Sequence, residues 1–230
     1  MKVKIGDENM KSEYMLSSET VKSEIVNRRI VIESDIKISN NVKFINCDIE
    51  YSEKSGKIVL DDADALFDNC SIGCHSADDE KYFFIECNDN SIITFEKCVF
   101  KYCENFIVAK SNKTKVIISN SEIQNPGEKF VHAVLGTNSM FEIKDSTISL
   151  DDSIEYTDQT IIFNIARVDH NIHPRISNVK IISGKMLENV RWFLCMGAHV
   201  EGGEYTRCDF HKLLKGHKLV NTSYEKLFDF

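Results

Sequence analysis

A short pattern recurs along the 230-residue chain and limits the folds that it can adopt. An apolar residue is followed by two variable residues, a small residue, one more variable residue and a second apolar residue. Copies begin at Phe44, Phe67, Phe95, Ile118, Ile143, Ile176, Tyr205 and Leu219, with successive starts 23, 28, 23, 25, 33, 29 and 14 residues apart. The last interval is short, so the final copy is either a truncated repeat or a chance match. Such self-similarity is typical of repeat architectures, in which neighbouring units bury each other's apolar faces.

Each repeat predicts three short strands. In one repeat these are residues 83–86, 92–95 and 98–100, with a polar turn after the first strand and a two-residue corner after the second. Strands this short cannot form a stable sheet within one repeat, so we predict an all-β coil in which each strand pairs in parallel with its equivalents above and below. Seven to eight coils are expected. The 27 isoleucines, against 11 leucines and 7 alanines, favour strands in the same way.

The same pattern predicts which side chains enter the core. Ile118 is expected to face inward, with Phe95 on one side of it and Ile143 on the other. Five first-strand phenylalanines are expected to be core residues rather than a sugar-stacking platform: Phe83, Phe84, Phe106, Phe130 and Phe163. Alternation along a strand nevertheless places one of Phe83 and Phe84 on the outer face.

The corner between the second and third strands carries the most specific signal. Its first position is Asn46, Asn69, Lys97, Asn120, Asp145, Asn178, Arg207 and Asn221, so five of the eight are asparagine. Asparagine tolerates the left-handed conformation that a tight corner needs, and stacked amides can hydrogen-bond along a column. The next position is small, and three early copies carry Cys47, Cys70 and Cys98 there. We therefore predict that these thiols are stacked and buried.

These residues resemble those of the right-handed parallel β-helix superfamily, the pectate-lyase-like fold with its asparagine ladder. The resemblance covers about residues 30–224 and is one of fold, because no signature of a particular family accompanies it. The resemblance implies polysaccharide lyases and glycoside hydrolases as one functional class, because many of these enzymes have this fold. A five-residue pentapeptide repeat and a leucine-rich repeat both fit the spacing and composition less well.

The two ends are expected to cover the open coil. We interpret residues 1–29 as an N-terminal cap, in which residues 17–28 form a short amphipathic helix with Leu16, Val21 and Ile25 at helical spacing. Residues 225–230 form an aromatic C-terminal tail that serves as a second cap or as a docking segment. Exposed strand edges at either end of a parallel stack otherwise invite pairing with another chain.

Charge and cysteine usage narrow the classes of partner and compartment. With 28 basic and 36 acidic residues the formal net charge is −8, which argues against nucleic-acid or anionic-membrane binding. The start of the sequence lacks the apolar stretch of a signal peptide, and the eight cysteines fall in apolar runs. We therefore expect reduced, buried thiols and a cytoplasmic, bacterial accessory protein.

Candidate catalytic and metal-binding groups are weak. The pairs Asp61–Asp62, Asp78–Asp79 and Asp151–Asp152 are neighbours on the chain, and strand neighbours point to opposite faces. The motifs of polygalacturonase-like hydrolases are missing, and so is the acid cluster of a calcium-dependent lyase. Zinc-like spacing is present in two groups, Cys70, Cys74 and His75, and Asp169, His170 and His173. We expect the first group to be broken by the inward position of Cys70, and we predict no catalytic residue, metal or cofactor.

The leading hypothesis is a non-catalytic interaction module. The variable turn after each third strand is rich in acidic residues, and these turns stack along one edge of the coil as an acidic ridge facing a protein, preferably a basic one, or a glycan. The residues expected to bind are Asp78, Asp79, Asp151, Asp152, Glu155, Tyr156 and Asp158. The alternative is a carbohydrate-active enzyme of the pectate-lyase-like group. A homodimer formed through an uncapped end is a further possibility that the sequence leaves open.

Overall fold

The structure is a computed structural model. It describes residues 11–17, 22–51, 56–74, 83–127, 129–150, 161–167, 174–183, 191–195, 199–201, 204–205 and 218–219. These residues form 25 short strands, and no helix occurs among them.

The strands make three parallel sheets, which we number in the order of the three strands of a repeat. Sheet 1 contains β4 (Ile36–Ile38), β7 (Ile58–Leu60), β10 (Ile85–Cys87), β13 (Ile107–Ala109), β16 (Val131–Leu135), β19 (Ile161–Arg167) and β22 (Arg191–Cys195). Sheet 2 contains β2 (Glu24–Val26), β5 (Val42–Ile45), β8 (Asp64–Asp68), β11 (Ile92–Glu96), β14 (Lys115–Ser119), β17 (Met140–Lys144), β20 (Arg175–Ser177), β23 (His199–Glu201) and β25 (Lys218–Leu219). Sheet 3 contains β1 (Ser12–Met15), β3 (Arg28–Val31), β6 (Asp48–Tyr51), β9 (Ser71–Cys74), β12 (Val99–Lys101), β15 (Glu122–Gln124), β18 (Thr147–Leu150), β21 (Lys180–Ser183) and β24 (Glu204–Tyr205).

Each turn of the coil runs from sheet 2 through sheet 3 to sheet 1 and returns to sheet 2 one level higher. Between β2 and β22 the described residues contain seven complete coils of this kind, which confirms the predicted all-β parallel coil and its size. Every ladder is parallel, so each backbone N–H and C=O in a strand pairs with the coil above or below.

Inward side chains form continuous columns. Phe44, Phe67 and Phe95 stack at centroid distances of 4.6 and 4.9 Å with nearly parallel rings. Ile118 continues that column: it pairs with Phe95 on one strand and Ile143 on the next, and it is fully buried. The predicted register of sheet 2 is confirmed.

A second aromatic column lies at the start of the sheet 1 strands. Phe106 and Phe130 lie 5.4 Å apart, and Phe130 lies 5.6 Å from Phe163. Phe84 packs in the core, 4.6 Å from Tyr51, whereas Phe83 stacks on His132 on the outer side of sheet 1. One of the two rings therefore lies outside the core as predicted, but it is covered, at 9% exposure, rather than free on the surface.

The asparagine corner is confirmed in detail. Its six described positions after β5, β8, β11, β14, β17 and β20 all have φ between 48° and 55°. Asn69 donates its side-chain amide to the Asn46 Oδ1 at 2.7 Å, and Asn178 donates to the Asp145 Oδ1 at 2.8 Å. Lys97 interrupts this ladder, and the Asn120 amide donates instead to the Glu96 carboxylate at 2.9 Å.

Two further sets of left-handed corners were not predicted. The turn from sheet 1 to sheet 2 uses Asp62, Asn90, Lys113 and Asn138, with φ between 54° and 61°. The turn from sheet 3 to sheet 1 uses Tyr102, Asn105, Asn125 and Lys129, with φ between 46° and 55°. Three corners per coil therefore rely on residues other than glycine, which explains how a chain with only 10 glycines makes so many turns.

The N-terminal segment differs from the predicted capping helix over residues 17–28. Residues 24–26 are strand β2, and Ile25 is buried opposite Phe44 at the end of the sheet 2 column. Leu16, which directly follows β1, and Ile25 on β2 belong to two different turns of the coil rather than to one face of a helix. Residues 18–21 lie outside the described part, and β1 and β2 extend the parallel ladder to positions before residue 30.

Candidate binding site

The outer face of sheet 3 carries a groove built from four neighbouring strands. Alternation along each strand sends Ile30, Ile49 and Ile72 inward and leaves their polar neighbours outside. The groove encloses about 480 Å³ and is lined by Lys11, Arg29, Asp48, Glu50, Ser71, Gly73 and Lys101. Its size falls within the range of small-ligand sites or of a site for a short protein segment.

Charges of both signs line this groove. Lys11 Nζ lies 2.7 Å from Asp48 Oδ1, and Arg29 Nη2 lies 3.0 Å from Glu50 Oε2. Lys101 is exposed, and no ion pair joins it to another residue in the part of the chain that the structure describes. Its ammonium group therefore has donors left over for an incoming ligand.

Gly73 forms the floor of the groove. It pairs with Glu50 on one side and with Lys101 on the other, in the interior of sheet 3. A Cβ atom added there would meet only the Glu50 Cγ, at the ordinary contact distance of 3.9 Å, and the backbone lies outside the left-handed region. The fold does not require glycine at this position, and a strand glycine often marks the close approach of a ligand or another backbone.

The predicted binding residues lie outside the described residues: Asp78, Asp79, Asp151, Asp152, Glu155, Tyr156 and Asp158. Residues 75–82 follow β9 and residues 151–160 follow β18, so both segments leave the same edge of sheet 3. Of the proposed ridge, Glu104 is half-buried, while Tyr102 is 55% exposed with φ of 55°. The acidic ridge remains a prediction.

The groove itself was not predicted from the sequence. Its lining residues come from successive turns of the coil and are spread over positions 11 to 101, so no local motif marks them. The one usable signal was Gly73, a glycine in the third strand of its repeat where the neighbouring copies have larger residues. Combined with the repeat register, it could have indicated a dent in the outer face.

The cysteine column is structural. Cys47, Cys70 and Cys98 are buried, and their thiols lie 3.3–3.4 Å from the carbonyl oxygens of Ile25, Phe44 and Phe67 respectively. The contact with the Cys70 thiol, together with burial, raises the pKa of Cys47. Burial, followed by the nearby Glu86 carboxylate, raises the pKa of Cys87 to about 12. Cys47 and Cys87 are therefore poor nucleophiles and poor metal ligands at neutral pH. The hydrogen bond with the Cys70 thiol instead lowers the pKa of Cys98, which is buried.

The structure adds little support for a metal site. Among the described residues no group of three or more His, Cys, Asp or Glu side chains could hold a metal ion. Cys70 faces inward as predicted. The His75 side of the first zinc-like group and all of the second group, Asp169, His170 and His173, lie outside the described residues. No helix in the described part of the chain is long and apolar enough to cross a membrane.

His132 is the one described histidine with a shifted pKa. It lies on the outer face of sheet 1, between Val108 and Asn164 on the neighbouring strands, and its ring stacks on Phe83 at 6.1 Å. Its Nδ1 is buried without a hydrogen-bond partner. Burial, then the nearby Lys110 and Lys129 ammonium groups, lower the pKa of His132.

Comparison with known families agrees with the three-sheet coil. Residues 17–148 match the family described as the right handed beta helix region, which covers more than half of the chain. The chain therefore belongs to the right-handed β-helix family. No curated protein and no solved structure matches it.

Proposed function

We propose that this β-helix is a non-catalytic interaction module that binds a protein partner from its sheet 3 side. The observation that carries the proposal is the groove over Gly73, a dent in an otherwise regular face where the fold itself has no need of glycine. Parallel ladders on both sides hold its lining residues on rigid strands, which suits recognition by preformed surfaces.

The acidic ridge belongs to the same proposed surface. One of its segments follows β9, a strand that lines the groove, and the other follows β18, two strands beyond β12. A partner with a basic segment could therefore contact the ridge while another part enters the groove. Attraction between exposed charges speeds association and weakens with added salt. The five described cysteines are free and buried, which supports our placing the module in the cytoplasm.

The test begins with identification of the partner by affinity capture from a native lysate, followed by binding measurements with the purified partner. Gly73→Phe fills the groove floor, and we expect it to weaken binding at least tenfold. Val108→Phe is the matched control, because it adds the same side chain to the outer face of a different sheet, sheet 1. Equal affinities of the wild type and Gly73→Phe would remove the groove from the interface.

The ridge has its own variant, in which Asp151, Asp152, Glu155 and Asp158 are changed together to Asn or Gln. We expect a lower association rate and a shallower dependence on salt. An unchanged rate with unchanged salt dependence would move the interface away from the ridge.

A carbohydrate-active enzyme is the second candidate, and one observation favours it. Asp48 and Glu50 are two positions apart on one strand, so their Cα atoms lie about 6.6 Å apart and both side chains line the same groove. Two carboxylates on one face of a groove are the groups that a glycosidase uses. Both carboxylates are ion-paired, an arrangement that fits a recognition surface better than an acid–base pair. Incubation with anionic polysaccharides, with and without calcium, distinguishes the two: product formation that Asp48→Asn abolishes would establish the enzyme.

A further inference from the structure

The outer face of sheet 2 differs in chemistry from the outer face of sheet 3. Its solvent-facing positions on five consecutive strands, β5 to β17, carry a contiguous group of partly exposed side chains that is mostly apolar. We call this group the sheet 2 patch: Ile45, Leu66, Ile92, Thr94, Ile117 and Met140. Such a patch rimmed by charges is typical of a surface that contacts another protein.

The rim of the patch contains charged residues in a particular order along the stack. Lys43 lies at the β5 end and Glu142 at the β17 end of the central column. Asp64 on β8 and Lys115 on β14 lie at the same position of their strands, one on each side of Ile92. Opposite charges are therefore placed at equal distances on either side of β11.

This order makes the face complementary to itself. Consider a second copy related to the first by a two-fold axis that runs parallel to the strands and passes over β11. The two sheet 2 faces then meet. Each strand above β11 in one copy contacts the strand that lies the same distance below β11 in the other copy. Lys43 then faces the Glu142 of the other copy, Asp64 faces Lys115, and Leu66 faces Ile117. A two-fold axis along the stack would instead bring Asp64 against Asp68 and would set Lys43 and Glu142 each against its own equivalent, with no pair of opposite charges. The first arrangement has one like-charge contact, between the two Glu96 side chains, against four contacts between opposite charges.

We propose that the sheet 2 patch is a self-association surface that joins two copies of this chain face to face, with their coil axes antiparallel. Thr94 lies at the centre of the patch, on the axis, where it meets its own equivalent. The two Glu96 carboxylates approach each other at one edge, and each accepts hydrogen bonds from Ser119 and Asn120 of its own chain, with Lys97 at 3.9 Å. This contact is separate from the sheet 3 surface, so a dimer leaves the groove open to a different partner.

The size of the patch sets the strength of the dimer. Four strand spacings and about four residues of strand give a contact of roughly 20 by 13 Å, below the size of a stable interface. We therefore expect only weak association, with a dissociation constant of about 100 µM or higher. Sedimentation velocity of the full chain over loading concentrations that bracket this range should show a shift from monomer to dimer.

A charge-reversal cycle tests the arrangement. The two single variants are Asp64→Lys and Lys115→Asp. Each creates two contacts between like charges in the symmetric dimer, and we expect each to weaken dimerisation about tenfold or more. The double variant restores both pairs and should return the dissociation constant to near the wild-type value, with the net charge unchanged. Thermal melts of all four proteins show whether the monomer fold is retained; Glu50→Lys, on sheet 3, is the control for a charge change elsewhere.

A second measurement remains informative if a reversal damages the fold. Thr94→Cys places a thiol on the axis, and mild oxidation should link two copies, whereas the wild type and a Val108→Cys variant on sheet 1 should not be linked. A chain that sediments as a monomer at every concentration would overturn the proposal. So would a double reversal that fails to recover dimerisation, or linking of Val108→Cys as fast as Thr94→Cys, because each would place the contact on another face.

Discussion

The gap in the asparagine ladder makes Lys97→Asn a stabilising substitution. Lys97 occupies the corner with φ of 55°, between Asn69 on one coil and Asn120 on the next. Lysine has no side-chain group that compensates for the left-handed backbone. Within the described part of the chain Lys97 makes one ion pair, a long one of 3.9 Å to Glu96, and its side chain is 63% exposed. An asparagine at position 97 fits both the backbone and the ladder.

The expected gain has two parts. Asparagine adopts the left-handed region at lower cost than lysine, which contributes about 0.5–1 kcal/mol. Its amide can donate to Asn69 as Asn69 donates to Asn46 at 2.7 Å, and it can accept from Asn120, which then releases Glu96. The net change is one added hydrogen bond at a partly exposed site, about 0.5–1 kcal/mol. The unfolding free energy should rise by about 1–2 kcal/mol, and the melting temperature by roughly 2–6 °C for a chain of this size.

Two control variants separate these contributions in urea and thermal unfolding. Lys97→Gly relieves the backbone without adding an amide, whereas Lys97→Ala keeps the backbone cost and removes only the weak ion pair. We expect stability in the order Asn, Gly, then Ala and the wild type together. If glycine equals asparagine, the amide ladder contributes nothing measurable; if asparagine does not stabilise at all, our reading of the corner is wrong.

Three further predictions follow from the described core and surface. Ile118→Asp places a carboxylate in the column between Phe95 and Ile143 and should cost several kcal/mol in unfolding free energy; a variant that melts like the parent would contradict the register. In the native protein at pH 8, Cys47, Cys70 and Cys98 should be alkylated far more slowly than in denaturant, as followed by peptide mass spectrometry, and fast labelling of all three would show that the column is open. Because the folded state lowers the pKa of His132 beneath its ordinary value of 6.5, the unfolded chain binds the proton more readily, so the unfolding free energy should fall as the pH drops below about 7. His132→Gln should flatten that part of the stability–pH curve, and an unchanged slope would assign it to other groups.

The repeat sequence predicted the coil because its signals are local and are repeated in every turn. The apolar positions of the second strand fix which side chains enter the core, and the asparagine at the two-residue corner fixes where the chain changes direction. Seven coils, the inward position of Ile118 and the left-handed corner all followed from these two features. The other corners were missed because Tyr102, Lys113 and Lys129 are unusual residues for positive φ, and their backbone is held by the ladders on either side.

The errors have a physical explanation of their own. At the N-terminus, Val21 and Ile25 are four residues apart, as on one face of a helix, but parallel pairing of Ile25 with the next coil outweighs that local preference. Alternation predicted that one of Phe83 and Phe84 leaves the core, but the burial of Phe83 depends on His132, a contact between residues far apart in the sequence. The groove was invisible for a different reason, since its residues become neighbours only when the register between coils is known.

The tolerance of the coil to insertions explains why recognition is expected beside sheet 3. The corner between sheets 2 and 3 is two residues long in every complete coil but the first, where a single residue separates β2 from β3. The connection from sheet 3 to sheet 1, by contrast, ranges from four residues between β3 and β4 to ten between β9 and β10. An insertion there leaves every inward column and every ladder in register, so its cost is small and grows only slowly with length. A surface that has to change with its partner can therefore vary at this edge without loss of stability. The groove over Gly73 lies on the adjoining face of sheet 3, and the residues of the proposed acidic ridge belong to these connections. The corner that joins sheet 2 to sheet 3 does not vary in length in this way. The face of sheet 2 is therefore better suited to a contact that every copy of the chain makes in the same way.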